Sequence, residues 1–267
     1  MRRCLLPDED EPRNFLRAGA AVVSKVCHTG NLLLRVGGGA GGGKAADTGE
    51  VLGAGTEISL LSAAVEQLRA DIAETAEKTM RLTPPAQIYL GWWQSHYNDI
   101  IGYVYSPGTP ISYPIAYDGD NDYYLHHDLY GNYSVYGTIF LDARANRDFT
   151  SQSNMLYGHH MKDRTMFASI DGYKEQWYYD AHPCLYVYTN AGTYRVDLFA
   201  GLIVPGEHEV FNTSFQTVDL ERFISQSTFY AGRGIPTGRI VGLCTCSYEA
   251  DNYRYVVLGE MTLIAEG

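Results

Sequence analysis

Hydrophobic and polar positions divide the chain into a helical stretch followed by a strand-rich one. From Glu57 to Arg81, Leu60, Leu61, Ala64, Leu68, Ile72 and Ala76 recur at spacings of three and four. Glu66, Arg69, Asp71, Glu74, Glu77 and Lys78 lie between them, which is the pattern of an amphipathic helix. Thr56 is placed to cap its start, and Pro84-Pro85 bars continuation. A second short helix is predicted over Ala86–Tyr97. Beyond Ile100 the period changes. Ile101–Tyr105 reads as a strand closed by the turn Ser106-Pro107-Gly108. Further β-rich runs follow at 112–117, 136–141, 153–157, 184–189, 193–204, 239–246 and 253–264. About eight strands at this spacing predict a mainly β fold, a closed barrel or a sandwich. Two helical interruptions are predicted, near Met166–Tyr173 and over Val218–Tyr230, where Leu220, Phe223, Ile224 and Ser227 share a face. No internal repeat is visible.

Composition refines this division. Residues 1–55 carry the nearly all-glycine run Gly37–Gly43, which is entropically costly to fix and offers nothing to pack. They read as a poorly ordered lead, followed by a helical segment over 56–97 and a barrel over 98–267. Tyrosine is common, with 22 residues concentrated beyond residue 88, and suits strands with one wet end. The net charge of -11 and the absence of a dominant basic patch argue against a nucleic-acid partner. Ala18–Val23 and Leu32–Leu34 are far too short to span a membrane, and no clean signal peptide is formed. Cysteines at 4, 27, 184, 244 and 246 are odd in number and irregular in spacing, unlike a disulfide framework. Cys244 and Cys246 flank a single residue, so they form neither a redox nor a zinc C-x-x-C. No metal, phosphate or dinucleotide motif appears.

Three residues could carry chemistry. Cys246 ends the strand-like run Arg239–Leu243 and its continuation. Read locally, it is more often a small buried hydrophobe than a nucleophile. In Tyr157-Gly-His-His-Met161, adjacent histidines on extended chain point to opposite faces, so one of them can face a given cleft. Arg254 begins the next strand-like run, and a turn over Ser247–Tyr253 can bring it beside Cys246. Alone, each histidine and the arginine read as ordinary surface residues. Together the three fit acyl transfer: a thiolate attacks a peptide carbonyl, a histidine moves protons, and a fixed cation stabilises the oxyanion.

From Asn98 to Met261 the sequence resembles the class B sortases. The resemblance rests on Asn98-Asp-Ile-Ile-Gly-Tyr-Val-Tyr-Ser-Pro-Gly-Thr109, Ile111-Ser-Tyr-Pro-Ile115 and Asp120-Asn-Asp-Tyr-Tyr-Leu125. It continues through Gly137-Thr-Ile-Phe-Leu-Asp142, Tyr157-Gly-His-His-Met161, Leu243-Cys-Thr-Cys246 and Arg254, in order. It implies a sortase-type β-barrel with N-terminal helices and a helix in the connection before the last strands. It implies a cysteine transpeptidase that cuts a C-terminal sorting motif of secreted proteins after Thr. The acyl group then passes to a peptidoglycan cross-bridge amine or a pilin lysine. The implied catalytic residues are Cys246 as nucleophile, His159 as general acid/base and Arg254 as oxyanion or substrate clamp. His159 is preferred to His160 because it directly follows Tyr-Gly. Asn121, Leu125, Cys244 and Thr245 align with positions lining the family's peptide groove, and Phe211 joins them. No cofactor or metal is implied, a monomer is expected, and the expected location is the extracellular face of the membrane.

Two departures stand out. Cys244 occupies the position of the family's usual serine, on the same strand face as Cys246. Residues 1–55 show neither the family's membrane anchor nor any likeness to it. The alternatives to transfer are a cysteine peptidase with water as acceptor and a non-catalytic surface-binding barrel.

Overall fold

The computed structural model describes residues 51–267 other than Tyr248, with side chains from residue 62 onward apart from 77, 78 and 80–82. The expected lead therefore falls, for residues 1–50, outside the described residues. Ser62–Gly267 form one compact unit, and the described part of the other unit, Val51–Leu61, is helical. Helix α1 runs Val51–Leu82, so Thr56 lies inside it rather than at its cap. Every side chain from Ser62 to Ala76 is exposed, so the apolar face predicted there meets no core along that stretch. Helix α2 is Leu90–His96, shorter than expected.

Eight strands close a barrel: β1 (Ile100–Tyr105), β2 (Ser112–Ala116), β3 (Phe140–Leu141), β4 (Ser153–Tyr157), β5 (Cys184–Thr189), β6 (Gly192–Pro205), β7 (Ile240–Cys246) and β8 (Tyr253–Glu266). Their order around it is β1-β2-β3-β4-β7-β8-β6-β5, so the predicted barrel is the observed fold and no strand edge is left open. Neighbours are antiparallel except β2–β3 and β4–β7. The run predicted over 136–141 narrows to Phe140–Leu141. Gly137 turns there at φ +58°, and a Cβ on it would lie 2.4 Å from the Tyr124 carbonyl oxygen. Two short helices escaped the sequence reading, α3 (Tyr123–His126) and α4 (Gln176–Ala181). The segment near 166–173 is a 3₁₀ helix, Ala168–Lys174. Helix α5 spans Thr217–Ser225 and stops short of Tyr230. Ser227, predicted on its apolar face, instead lies beyond it and accepts a hydrogen bond from the Gly201 amide at 3.0 Å.

β7 and the Tyr255–Gly259 stretch of β8 are buried on both faces, and their alternation sorts side chains between two cores. Val241, Leu243, Tyr255 and Val257 enter the barrel interior with Leu156, Phe167 and Val187. Ile240, Cys244, Val256 and Leu258 face outward, into a second core with Leu220 and Phe223 of α5 and with Phe211. Phe167 is fully buried beneath the segment after β4, and its amide donates to the His159 carbonyl at 3.1 Å. Truncating Phe167→Ala should therefore cost about 3–5 kcal/mol. A drop of the urea midpoint at unchanged slope is the expected reading.

Candidate active site

The period-2 alternation decides where the candidate residues go. Cys244 faces the outer core, so Cys246, two residues on, lies on the same face where the strand leaves that core. Cys246 is half-buried, while Cys244 is 2% exposed. In the β7–β8 ladder Cys246 is paired directly with Arg254, and Cys244 with Val256. β4 lies against the other edge of β7, with Tyr157 opposite Cys244. The next residues stay tied to β7. The Gly158 amide donates to the Cys244 carbonyl at 3.1 Å, and the Thr245 hydroxyl donates to the Gly158 carbonyl at 2.9 Å. His159 follows at once. The three strand ends thus bring together the residues read as thiol, imidazole and guanidinium.

They line a cleft of about 770 Å³ on the outer face of the barrel. All eight residues singled out from the sequence, Asn121, Leu125, His159, Phe211, Cys244, Thr245, Cys246 and Arg254, line it. The two histidines part as predicted for extended chain. His159 faces the cleft, and its Nε2 lies 2.7 Å from the Leu125 carbonyl oxygen. A carbonyl oxygen can only accept, so Nε2 carries the proton and Nδ1 is the free nitrogen of neutral His159. His160 pairs instead with Asp171, Nε2 to Oδ2 2.6 Å. Lys174 continues that chain, 2.9 Å from Asp171 and 2.6 Å from Glu249 in the β7–β8 connection. Burial alone would lower the Lys174 pKa, but the two carboxylates outweigh it and raise it. The network ties the segment after His159 to the connection between Cys246 and Arg254.

The two thiols differ sharply. Burial drives the Cys244 pKa far up, against a smaller opposing pull from Arg254. Burial thus favours the protonated thiol at Cys244, which lines the cleft. Among the described residues no group of His, Cys, Asp and Glu is arranged to hold a metal.

The cleft also has a polar wall, of which only Asn121 stands out in the sequence. Asp142, 1% exposed, accepts hydrogen bonds from the Asn121 amide (3.2 Å), the Tyr157 hydroxyl (2.8 Å), and the Arg144 amide and guanidinium. Asn121 in turn accepts from the Ala143 amide at 2.8 Å. Arg144, Glu207, His208 and Glu209 also line the cleft. Asp142-x-Arg144 just after a strand is the local signal for this wall, a turn in which the aspartate carboxylate accepts from the amide two residues on.

Burial alone would raise the Asp142 pKa, but the bonds from Arg144, then Tyr157 and Asn121, prevail and hold it below the usual carboxylate range. The ionised group thus adds stability above the unfolded aspartate pKa of about 3.9. That contribution fades as pH falls through the lower folded value. Asp142→Asn should cost about 2 kcal/mol near neutrality, since Arg144 keeps contact with water. The deficit should shrink in acid, and denaturant unfolding at pH 7 and pH 3 reads both effects.

No family model matches the chain. Sortase B of Listeria monocytogenes is 33% identical over 171 residues, covering 61% of this chain and 70% of that protein. Sortase B of Staphylococcus aureus is 26% identical over 175 residues, covering 62% and 72%. Among solved structures, sortase B from Listeria monocytogenes aligns with TM-score 0.56 at 31% identity, over 62% of this chain and 97% of that one. Clostridium perfringens sortase B aligns with TM-score 0.59 at 27% identity, over 64% and 98%. A sortase B complexed with triglycine aligns with TM-score 0.61 at 25% identity, over 74% and 98%.

Proposed function

The chain belongs to the sortase B family of cysteine transpeptidases, and from that premise we propose that it cleaves a C-terminal sorting motif of secreted proteins after Thr and passes the acyl group from Cys246 to a cell-wall amine. The observation that carries the reading is the cross-strand pair Cys246–Arg254 facing one cleft with His159. In this reading the Cys246 sulfur attacks the threonine carbonyl carbon and its proton passes to His159. Nδ1 is the nitrogen that receives it, because the Leu125 carbonyl holds Nε2 as a donor. The Arg254 guanidinium stabilises the oxyanion. The tetrahedral intermediate collapses, the C–N bond breaks, and His159 returns the proton to the leaving amine, leaving a thioester. An incoming amine then attacks the thioester carbonyl, gives its proton to His159, and expels the Cys246 thiolate, which is reprotonated.

Asn121, Leu125, Phe211, Cys244 and Thr245 form the peptide groove of this proposal. The enzyme works as a monomer at the extracellular face of the membrane. Among the described residues no helix is long and apolar enough to cross a membrane. The acceptor is a peptidoglycan cross-bridge or pilin amine. Because one relative is complexed with triglycine, that peptide is the first acceptor to try.

Incubation with a sorting-motif peptide, with and without triglycine, separates transfer from hydrolysis. An acceptor-dependent peptide product is expected, and a product that never depends on the acceptor would establish hydrolysis instead. Cys246→Ala should lower cleavage by at least about 10³-fold with the fold intact. Cys244→Ser should retain most activity, and a dead Cys244→Ser enzyme would mean that the thiols were assigned the wrong way round.

A further inference from the structure

The wall of the cleft that holds Asn121 and Leu125 has another side. From Tyr117 to Gly137 the chain carries six tyrosines, two histidines and four aspartates, with no lysine or arginine. Part of this segment is a tight hairpin. His127 bridges to Tyr133, and the Asp128 carboxylate accepts from the Tyr130 and Asn132 amides at 2.9 Å. Tyr130 at its tip is 66% exposed, and Tyr133 of the bridged pair is 73% exposed.

A run of neighbouring rings connects them to the active site. Starting from His159, ring centroids step 6.4 Å to His126, 6.3 Å to Tyr133, 6.4 Å to His127 and 4.1 Å to Tyr123. Tyr130 meets Tyr97 edge-on at 5.4 Å, which joins the hairpin tip to the aromatic residues of and after α2. Tyrosine side chains, with two rotatable angles each, lose little entropy when they bind a ligand. An exposed set of such rings is a contact surface rather than a random scatter.

From this we infer that the aromatic surface around Tyr130 and Tyr133 binds the glycan strand of the acceptor polymer. The inference rests on the proposed peptidoglycan acceptor and names a second contact with it. A pyranose ring offers an apolar C–H face bordered by hydroxyl and acetamido groups. Tyrosine rings fit the face, while Asp122, His126 and Asn132 supply hydrogen-bonding groups around them. The lack of any lysine or arginine across the segment, beside four aspartates, disfavours a phosphate-bearing polymer or an anionic lipid surface. Continuity with His159 places this surface where a polymer would run on from the amine at the cleft.

Titration of the full chain with a neutral N-acetylglucosamine hexamer and sedimentation with polymer-stripped peptidoglycan sacculi test this. Tyr130→Ala and Tyr133→Ala should each weaken both interactions about tenfold. Trp177→Ala, removing a ring 67% exposed but outside this set, should change neither. Acceptor-free cleavage of the sorting peptide should keep its kcat and KM in all three variants. Absence of hexamer binding by the unaltered protein would overturn the inference, as would an equal loss in Trp177→Ala. So would tyrosine-dependent binding to phosphatidylglycerol vesicles, or a raised KM for the sorting peptide. A protein that binds the hexamer through these tyrosines yet cleaves no peptide would leave the glycan surface standing and remove the transpeptidase reading.

Discussion

The register of β7 against β8 is the constraint on which the site depends. Paired as they are, Cys246 faces Arg254, Cys244 faces Val256, and all four lie on the outer side of the barrel. A slip of one residue would exchange the two faces, sending Val257 and Leu243 outward and the cysteines inward. The interior residues resist that slip, because Leu243, Tyr255 and Val257 are completely buried among the barrel core. Hydrophobic packing inside the barrel therefore sets chemical geometry outside it. The parallel pairing of β4 with β7 does the same for His159, delivering it from Gly158, whose backbone is bonded on both sides to β7.

Much of this is legible in the chain because it depends on local period. The alternation in 239–246 and 253–264 identifies two strands, and the six residues Ser247–Asn252 between them suit a hairpin. Adjacent histidines must diverge, as His159 and His160 do. Less is legible where distant residues decide. Asp142 becomes central only once Asn121, Arg144 and Tyr157 converge on it, and residues 21 positions apart show no local pattern. The run over 136–141 begins as a strand only at Phe140, because Gly137 turns at φ +58° against two backbone carbonyls that leave no room for a Cβ. The period over Glu57–Arg81 identifies a helix, but it cannot say whether Leu68 and Ile72 find a core. In the structure both are exposed.

Cys244 illustrates how environment separates two chemically identical groups. It sits two residues from Cys246, yet the first is enclosed by Phe211, Val256 and their neighbours while the second emerges at the strand end. Burial raises the cost of ionising Cys244 more than the nearby Arg254 lowers it. Two thiols on one strand face are then compatible with a single nucleophile, because burial holds Cys244 away from the charged state that reacts.

The central claim is that Cys246 carries the acyl intermediate. Intact-mass analysis of the protein mixed with a sorting-motif peptide in the absence of acceptor tests it directly. The account predicts one acyl adduct, labile to hydroxylamine, that peptide mapping assigns to Cys246. An adduct on Cys244, or turnover of the peptide by a protein lacking the Cys246 thiol, would contradict it.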